Sequence, residues 1–375
     1  MRKVFHVTKR SISIIQVTSS LNPGGAERVA VNLANALAGL DYASHICSTR
    51  GGSGLLTELH PSVKMLSLGR TGRFDVGAFA RFVRYVREND IRIIHSHSTS
   101  LFIAAAVNWL CPGTRLLWHD HYGAYATVRR PVWLYRLFTA RLDGVLAVNT
   151  DLAAWARERL RVPCDRVWYI PNFVAEQHGQ VEVPDLPGEP GYRVVCVANL
   201  RPQKDHLNLL RAMEGVVEHV PQAHLILLGS SNEDDYSRAV LSAATSGRLA
   251  GRVTWLGSRD DVRSILRGCD VGVLSSASEG LPLSLLEYGM AGLASVATDV
   301  GQCAEVLRQG EAGIVVPPSS PHALEGAVVG LLKSRNQRRD LGARLLQHVR
   351  QHHGHERAIS GVETIYRSIC SNEGG

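Results

Sequence analysis

Apolar positions along the chain alternate between two periods. "SISIIQV" (Ser11 to Val17) is short, β-branched and nearly continuous, as in a strand buried on both faces. The next segment, "GGAERVAVNLANALAGL" (Gly24 to Leu40), spaces its apolar residues by three and four and stops at Gly39, which predicts an amphipathic helix. After a glycine-rich loop, "GAFARFVRYVREN" predicts a helix with Phe79, Phe82, Val83 and Val86 on its apolar face. The pattern then runs "IRIIHSH" (strand), "SLFIAAAVNWL" (helix), "TRLLWHDH" (strand), "WLYRLFTAR" (helix), "LDGVLAVN" (strand) and "TDLAAWARERL" (helix). Strand and helix in strict turn imply a parallel sheet covered on both faces.

The alternation breaks after "VWYIPNF". Residues 174–192 are polar, rich in Pro and Gly and without period, so they read as a linker. It then resumes with "RVVCVANL", a helix from about Lys204, "AHLILLGS", a helix around "YSRAVLSAAT", "RVTWLGS", "DVRSILRG" and "DVGVLSS". A short helix near Glu287, "ASVAT", "AGIVVPP" and terminal helices complete the chain. The expected organisation is two doubly wound units, residues 1–175 and 192–354, joined by a linker at 176–191. The last helix, 355–371, is long enough to return to the first unit.

Length and composition agree with this division. At 375 residues the chain exceeds one ordinary core, and 45% hydrophobic with 20% charged residues is a globular composition. No apolar run approaches the roughly 20 residues of a membrane span, and the N-terminus shows no secretory signal. Seven scattered cysteines lack metal or redox spacing, which points to reduced thiols in a cytoplasmic setting. Charge is uneven. Up to Asn172 there are 22 Lys+Arg against 11 Asp+Glu; the remainder has 19 against 23. A basic half suits anionic partners such as a phosphorylated substrate or a membrane surface. Nucleic acid is disfavoured, because no recognition motif organises the arginines.

Four stretches carry candidate chemistry at the expected carboxyl ends of strands, where open α/β sheets bind ligands. In "NPGGAERV", Gly24 and Gly25 open a helix whose free amides attract phosphate, although two adjacent glycines also make an ordinary turn. "WHDHYG" offers His119 and His121, for which hydrogen bonding to a polar substrate is favoured over metal. His95 and His97 read equally well as strand-end residues. "NLRPQKDH" brings Arg201 and Lys204 into one loop, where a diphosphate would be neutralised. Finally, "EGLPLSLLE" places Glu279 in a loop and Glu287 about a turn into a helix opened by Pro282. These two carboxylates mark either a solvated helix stripe or a ligand site.

Taken together, "GGAER", "IIHSH", "WHDH", "VWYIPNFV", "NLRPQKDHLNLLRAM", "LGSRDDV" and "EGLPLSLLE" resemble the retaining, nucleotide-sugar-dependent glycosyltransferases of family four. The resemblance covers nearly the whole chain. It implies the GT-B architecture, two Rossmann-like domains facing a central cleft, and a UDP- or GDP-sugar as donor. It further implies that Glu287 accepts hydrogen bonds from the ribose, that Glu279 and His119 lie near the donor sugar, and that Arg201 and Lys204 hold the diphosphate. Gly24 and Gly25 would approach that diphosphate, and the segment from Gly280 through Leu281 and Leu283 to Ser284 would meet sugar and phosphate. Gly257 and Arg259 would lie near the base. Many members carry arginine where this chain has Asn199. Without an Asp-x-Asp motif, neither metal nor other cofactor is expected. The acceptor, a glycan or lipid-linked sugar of a bacterial surface polysaccharide, would dock on the basic first domain. His97, Arg129, Arg130, Trp133 and Arg136 are the acceptor or membrane candidates; the expected location is cytoplasmic, and the helix carrying Trp133 and Arg136 reads equally well as a peripheral contact with the inner membrane's cytoplasmic face or as a packed helix with a charged outer face. A nucleotide-sugar epimerase of similar fold, or a non-catalytic binding protein, is the alternative.

Overall fold

The structure is a computed structural model describing residues 12–40, 42–72, 75–122, 130–173 and 182–371. Seven strands form the first sheet: β1 (Ile12–Thr18), β2 (Tyr42–Ser48), β3 (Lys64–Ser67), β4 (Ile91–His97), β5 (Arg115–Asp120), β6 (Gly144–Ala147) and β7 (Val167–Tyr169). Their order is β3-β2-β1-β4-β5-β6-β7. Six more form the second: β8 (Arg193–Val197), β9 (His224–Leu228), β10 (Val253–Trp255), β11 (Val271–Leu274), β12 (Ala294–Thr298) and β13 (Ile314–Val316), in the order β10-β9-β8-β11-β12-β13. Every paired strand is parallel. In each sheet the order reverses beside the first strand, between β1 and β4 and between β8 and β11, which opens a crevice at the carboxyl ends.

The α/β architecture is therefore the expected one. Two strands, the edge strand β3 and its neighbour β2, escaped the sequence pattern. β2 carries Ser44 and His45, which interrupt its apolar run, yet both are buried with partners that a sequence does not display. Ser44 Oγ donates to the Ala34 carbonyl at 2.7 Å, and His45 Nδ1 meets the Tyr85 hydroxyl at 2.8 Å. β3 is a short edge strand, mostly exposed, with little apolar signal.

The chain finishes by crossing between the two sheets. Helix Arg335–His353 packs on the second domain, where a Cβ on Gly289 would meet Val349 at 2.5 Å. Helix His355–Ser371 then lays Ile359, Val362, Ile365, Tyr366 and Ile369 on the same apolar cluster as Ile14, Ile93 and Leu117 of the first sheet. Burying each large aliphatic side chain is worth roughly 1.5–3 kcal/mol, so this helix is held as firmly as a core element.

Candidate active site

The carboxyl ends of the two sheets face one cavity of about 550 Å³. Gly24, Gly25, Arg28, His121 and Asn172 line it from the first sheet's side. Arg201, Lys204, Arg259, Glu279, Gly280, Leu281, Leu283, Ser284 and Glu287 line it from the other.

The wall built from "EGLPLSLLE" is fixed by interlocking local structure. Glu279 leaves β11 in a loop, 8% exposed, and its Oε1 takes the Lys204 ammonium at 2.5 Å and the Ser276 hydroxyl at 2.6 Å. Lys204 ends a 3-10 turn (Pro202–Lys204), and Asp205, in a left-handed conformation with φ of 46°, caps helix His206–His219 by accepting from the Asn208 amide. Ser275 Oγ donates to the carbonyls of Lys204 and Asp205, and the Ala277 amide donates to Gln203. The basic loop and the acidic loop are therefore one unit. Behind it, Gly301 (φ 54°) sits so close that a Cβ would lie 2.4 Å from the Glu279 carbonyl oxygen.

Glu287 lies in helix Leu283–Ala291, whose residues Ser284, Leu285, Leu286, Tyr288 and Gly289 are buried. That excludes the solvated-stripe reading. Burial pushes the Glu287 carboxyl above its usual range, against the pull of Arg28, while Glu58 adds to the rise. Arg28 stands 3.9 Å from Glu287 and 3.3 Å from Glu58, and so spans the cleft from the first domain. Gly25 faces Leu283 across the same gap, with room for a Cβ only at 3.5 Å.

The glycine turn differs from its reading as a set of open amides. Glu27 folds its carboxylate back over the helix start, so that a Cβ on Gly24 would lie 2.5 Å from its Oε2. Burial raises the Glu27 pKa, opposed by its own backbone amide and by Arg201. An anion arriving at this helix terminus thus meets the Glu27 carboxylate first. Asn199, where arginine is common in the family, has a local role: its Oδ1 accepts from the Ser230 amide at 2.9 Å and ties the ends of β8 and β9 together. Arg259 forms a fork with Asp261, both contacts at 2.7 Å; Gly257 does not line the cavity, but its carbonyl accepts from the amide of Gly229, which does.

The histidines need a correction. His119 is buried and does not line the cavity; His121 does. Alternation along β4 and β5 puts His95, His97 and His119 on one face, and His121, just past β5, joins them, with ring centroids 4.1–5.4 Å apart. Burial lowers the pKa of all four, pushing His95 and His121 down to about 3 and the other two well below the ordinary value. Nitrogens of His95, His97 and His119 come within 4.8 Å of one another. However, the rings of His95 and His97 lie 9° from parallel, so an ion in the plane of one would lie off the plane of the other. As placed, they do not converge on a tetrahedral site.

Of the acceptor or membrane candidates, Arg130 is withdrawn. Its guanidinium is buried against Asp120 at 2.7 Å and lies over the Trp155 ring at 3.7 Å, so it is not presented to an acceptor or a membrane surface. His97 is likewise internal. Trp133 is 68% exposed, with Leu137 and Arg136 on the same surface helix, Val132–Thr139; Arg129 lies outside the described residues. Among the described residues no helix is long and apolar enough to cross a membrane.

Residues 191–334 match the family Glycosyl transferases group 1, and residues 23–178 match Glycosyltransferase Family 4. The chain belongs to the family-four, group 1 glycosyltransferases. It is 26% identical to the N-acetyl-alpha-D-glucosaminyl L-malate synthase of Bacillus anthracis over 64% of this chain and 63% of that protein, a match spanning less than two thirds of the relative. With the phosphatidyl-myo-inositol mannosyltransferase of Mycolicibacterium smegmatis the figures are 26%, 75% and 72%. With the lipopolysaccharide core biosynthesis mannosyltransferase LpcC of Rhizobium leguminosarum they are 27%, 64% and 67%. Anabaena HepE in complex with UDP and glucose superposes with a TM-score of 0.78 at 17% identity, covering 95% of this chain and all of that one. A Rickettsia africae glycosyltransferase gives 0.76 at 15% identity, covering 97% and 100%. These structures share the fold.

In this glycosyltransferase, several residues at or behind the cavity have roles that the sequence does not display. Arg28 and Glu27 follow the glycines, but their contacts lie across the cleft or over the helix start. Asn172, whose Nδ2 donates to the Leu281 carbonyl at 2.8 Å, joins segments 109 residues apart. Ser276 acts through a hydrogen bond to a carboxylate that the sequence had already singled out. Glu27 and Arg28 stood in "GGAER" and Asn172 in "VWYIPNFV", both stretches marked by the resemblance.

Proposed function

We propose that the cavity binds a nucleotide-diphosphate sugar, UDP- or GDP-linked, and that the enzyme transfers its sugar with retained configuration to a glycan or lipid-linked acceptor. The observation that carries this reading is the convergence of Lys204 and Arg201 with Glu287 in one cavity at the carboxyl ends of two parallel sheets. Glu287 suits a pair of ribose hydroxyls, because a carboxylate accepts hydrogen bonds from both. Cleavage of the bond between the anomeric carbon and the phosphate leaves charge on the diphosphate. Lys204, Arg201 and the amides opening helix Leu283–Ala291 are arranged to stabilise that charge without a metal. The acceptor oxygen bonds to the anomeric carbon from the face the phosphate leaves, and its proton passes to the departing phosphate oxygen. Glu279, bound to Lys204, holds the ammonium in place. The mannosyltransferase names among the relatives, one for phosphatidyl-myo-inositol and one for lipopolysaccharide core, support a lipid or glycan acceptor.

Purified protein incubated with UDP-, GDP-, ADP- and TDP-sugars should release nucleotide slowly from one of them, at a rate unchanged by a chelator. Release from none of them, with no thermal stabilisation by any, would remove the basis for the proposal.

A further inference from the structure

Strands β8 and β11 are joined over a short stretch only. Val194 pairs with Val271 and Val195 with Gly272, whereas β8 pairs with β9 along its whole length from Arg193 to Val197. Two residues past the last pair, where a continued ladder would send the next amide to β11, the Val197 amide donates to the Tyr288 hydroxyl at 2.7 Å. The same hydroxyl donates to the Val273 carbonyl of β11 at 3.2 Å. An amide only donates and a carbonyl only accepts, so both roles of the phenol are fixed. Past this gap the two chains meet again, through Ser275 Oγ on the carbonyls of Lys204 and Asp205 and the Ala277 amide on that of Gln203.

The side chain that fills the gap comes from the helix that carries Glu287. Tyr288 is the next residue of helix Leu283–Ala291; Glu287 lines the cavity, while the Tyr288 side chain is wholly buried beneath it. Its ring passes against Gly272, where a Cβ would lie 2.6 Å from Cδ2 and 2.7 Å from Cγ. Glycine at this point of β11 is therefore what lets the ring reach both strands. Val197, Ala198 and Asn199 line the cavity, so the bond from Tyr288 ends on the segment that leads to Arg201 and Lys204.

We infer that Tyr288 is a positioning residue for the nucleotide pocket: its hydroxyl, set between the Val197 amide and the Val273 carbonyl, fixes the separation of β8 from β11 and with it the spacing of the basic loop from the Glu279 loop. Without that oxygen the Val197 amide loses its partner. A buried amide left unpaired is costly, which favours closing the strands until a β11 carbonyl takes its place. Closure draws Ala198 toward β11 and carries the basic loop with it. The role rests on the proposed transferase reading, because these two loops would hold the diphosphate.

The test is Tyr288→Phe in the full chain, read by backbone amide NMR without ligand and by calorimetric titration of UDP and of GDP. Amide signals of residues 198–204 and 275–280 should shift together. The nucleotide that the wild type binds should bind about tenfold more weakly, as expected when contact groups are slightly misplaced, with one site per chain retained. A merely structural role would instead lower the number of competent sites and leave the affinity of the rest unchanged. Tyr85→Phe, which removes a hydroxyl bonded to His45 Nδ1 at 2.8 Å outside the cavity lining, should bind as the wild type does. Gly272→Ala keeps the hydroxyl and displaces the ring, and should shift the same two loops even if Tyr288→Phe folds poorly. Shifts confined to the neighbours of Val197 and Val273, or wild-type affinity in Tyr288→Phe, would overturn the inference. If the wild type binds neither nucleotide, the transferase reading loses its support, and the amide shifts alone decide whether Tyr288 sets the loop spacing.

Discussion

Lys204→Ala should reduce nucleotide release from the donor sugar by about 10²–10³-fold, the usual loss when one preorganised charge-stabilising donor is removed. The ammonium is held at 2.5 Å from Glu279 and its side chain is 21% exposed, so it is aimed before any ligand arrives. Removing it also leaves the Glu279 carboxylate buried with the Ser276 hydroxyl as its remaining side-chain partner. Breaking a fully buried ion pair costs roughly 3–5 kcal/mol; partial exposure of Lys204 lowers the expectation to about 1–3 kcal/mol. The melting temperature should therefore drop by several degrees, since about 1 kcal/mol corresponds to roughly 2–4 °C in a domain of this size. Stability and chemistry separate in the double variant Lys204→Met, Glu279→Gln. With no charge left unpaired it should regain most of the stability and none of the rate. Lys204→Ala turning over within a few-fold of wild type would exclude the lysine from the leaving-group role.

Gly301→Ala should be nearly as damaging, although residue 301 does not line the cavity. Its left-handed φ of 54° costs an alanine roughly 1–2 kcal/mol. More important, the new Cβ would lie 2.4 Å from the Glu279 carbonyl oxygen and 2.5 Å from that of Gly280. These are backbone atoms, so relief requires the Glu279 loop to move, adding about 1–3 kcal/mol of overpacking. The loop is also held from this side by the Gln302 amide, which donates to Gly280 at 2.9 Å. A shift there withdraws Glu279 from Lys204, and nucleotide release should fall more than tenfold along with the melting temperature. Gly292→Ala is the matched control. It has a left-handed φ of 72° and nothing within 4 Å of the added Cβ, so it should lose a little stability and no activity. Equal activity in the two variants would show that the Gly301 contact does not hold the loop.

How much of this was readable in the sequence follows from where each signal originates. Alternation of apolar runs with helical periods is a local property, and it marked most strands of both sheets and the places where ligands collect. The carboxylates and cations of "EGLPLSLLE" and "NLRPQKDH" sit in loops directly after strands, so their convergence follows from topology alone. His119 was a near miss of a different kind. Strand alternation gives it and His121 the same face, and only three-dimensional depth decides that His121 borders the cavity. Arg130 was misplaced because an arginine among aromatic residues reads as a surface stripe, whereas the buried Asp120 carboxylate draws it inward. Arg28 and Asn172 stood in stretches that the resemblance marked, but their contacts were silent because Glu287 and Leu281 are distant in the chain.

The central claim is that Glu287 and the basic loop form one nucleotide-sugar pocket. Calorimetric titration of UDP and of GDP, with chelator present, into the wild type and into Glu287→Ala tests it most directly. The account predicts one saturable site per chain for one of the two nucleotides, and an affinity at least tenfold weaker in the variant, as expected for losing charge-assisted hydrogen bonds worth about 1.5–3 kcal/mol. Binding of neither nucleotide, or equal affinity in wild type and variant, would contradict it.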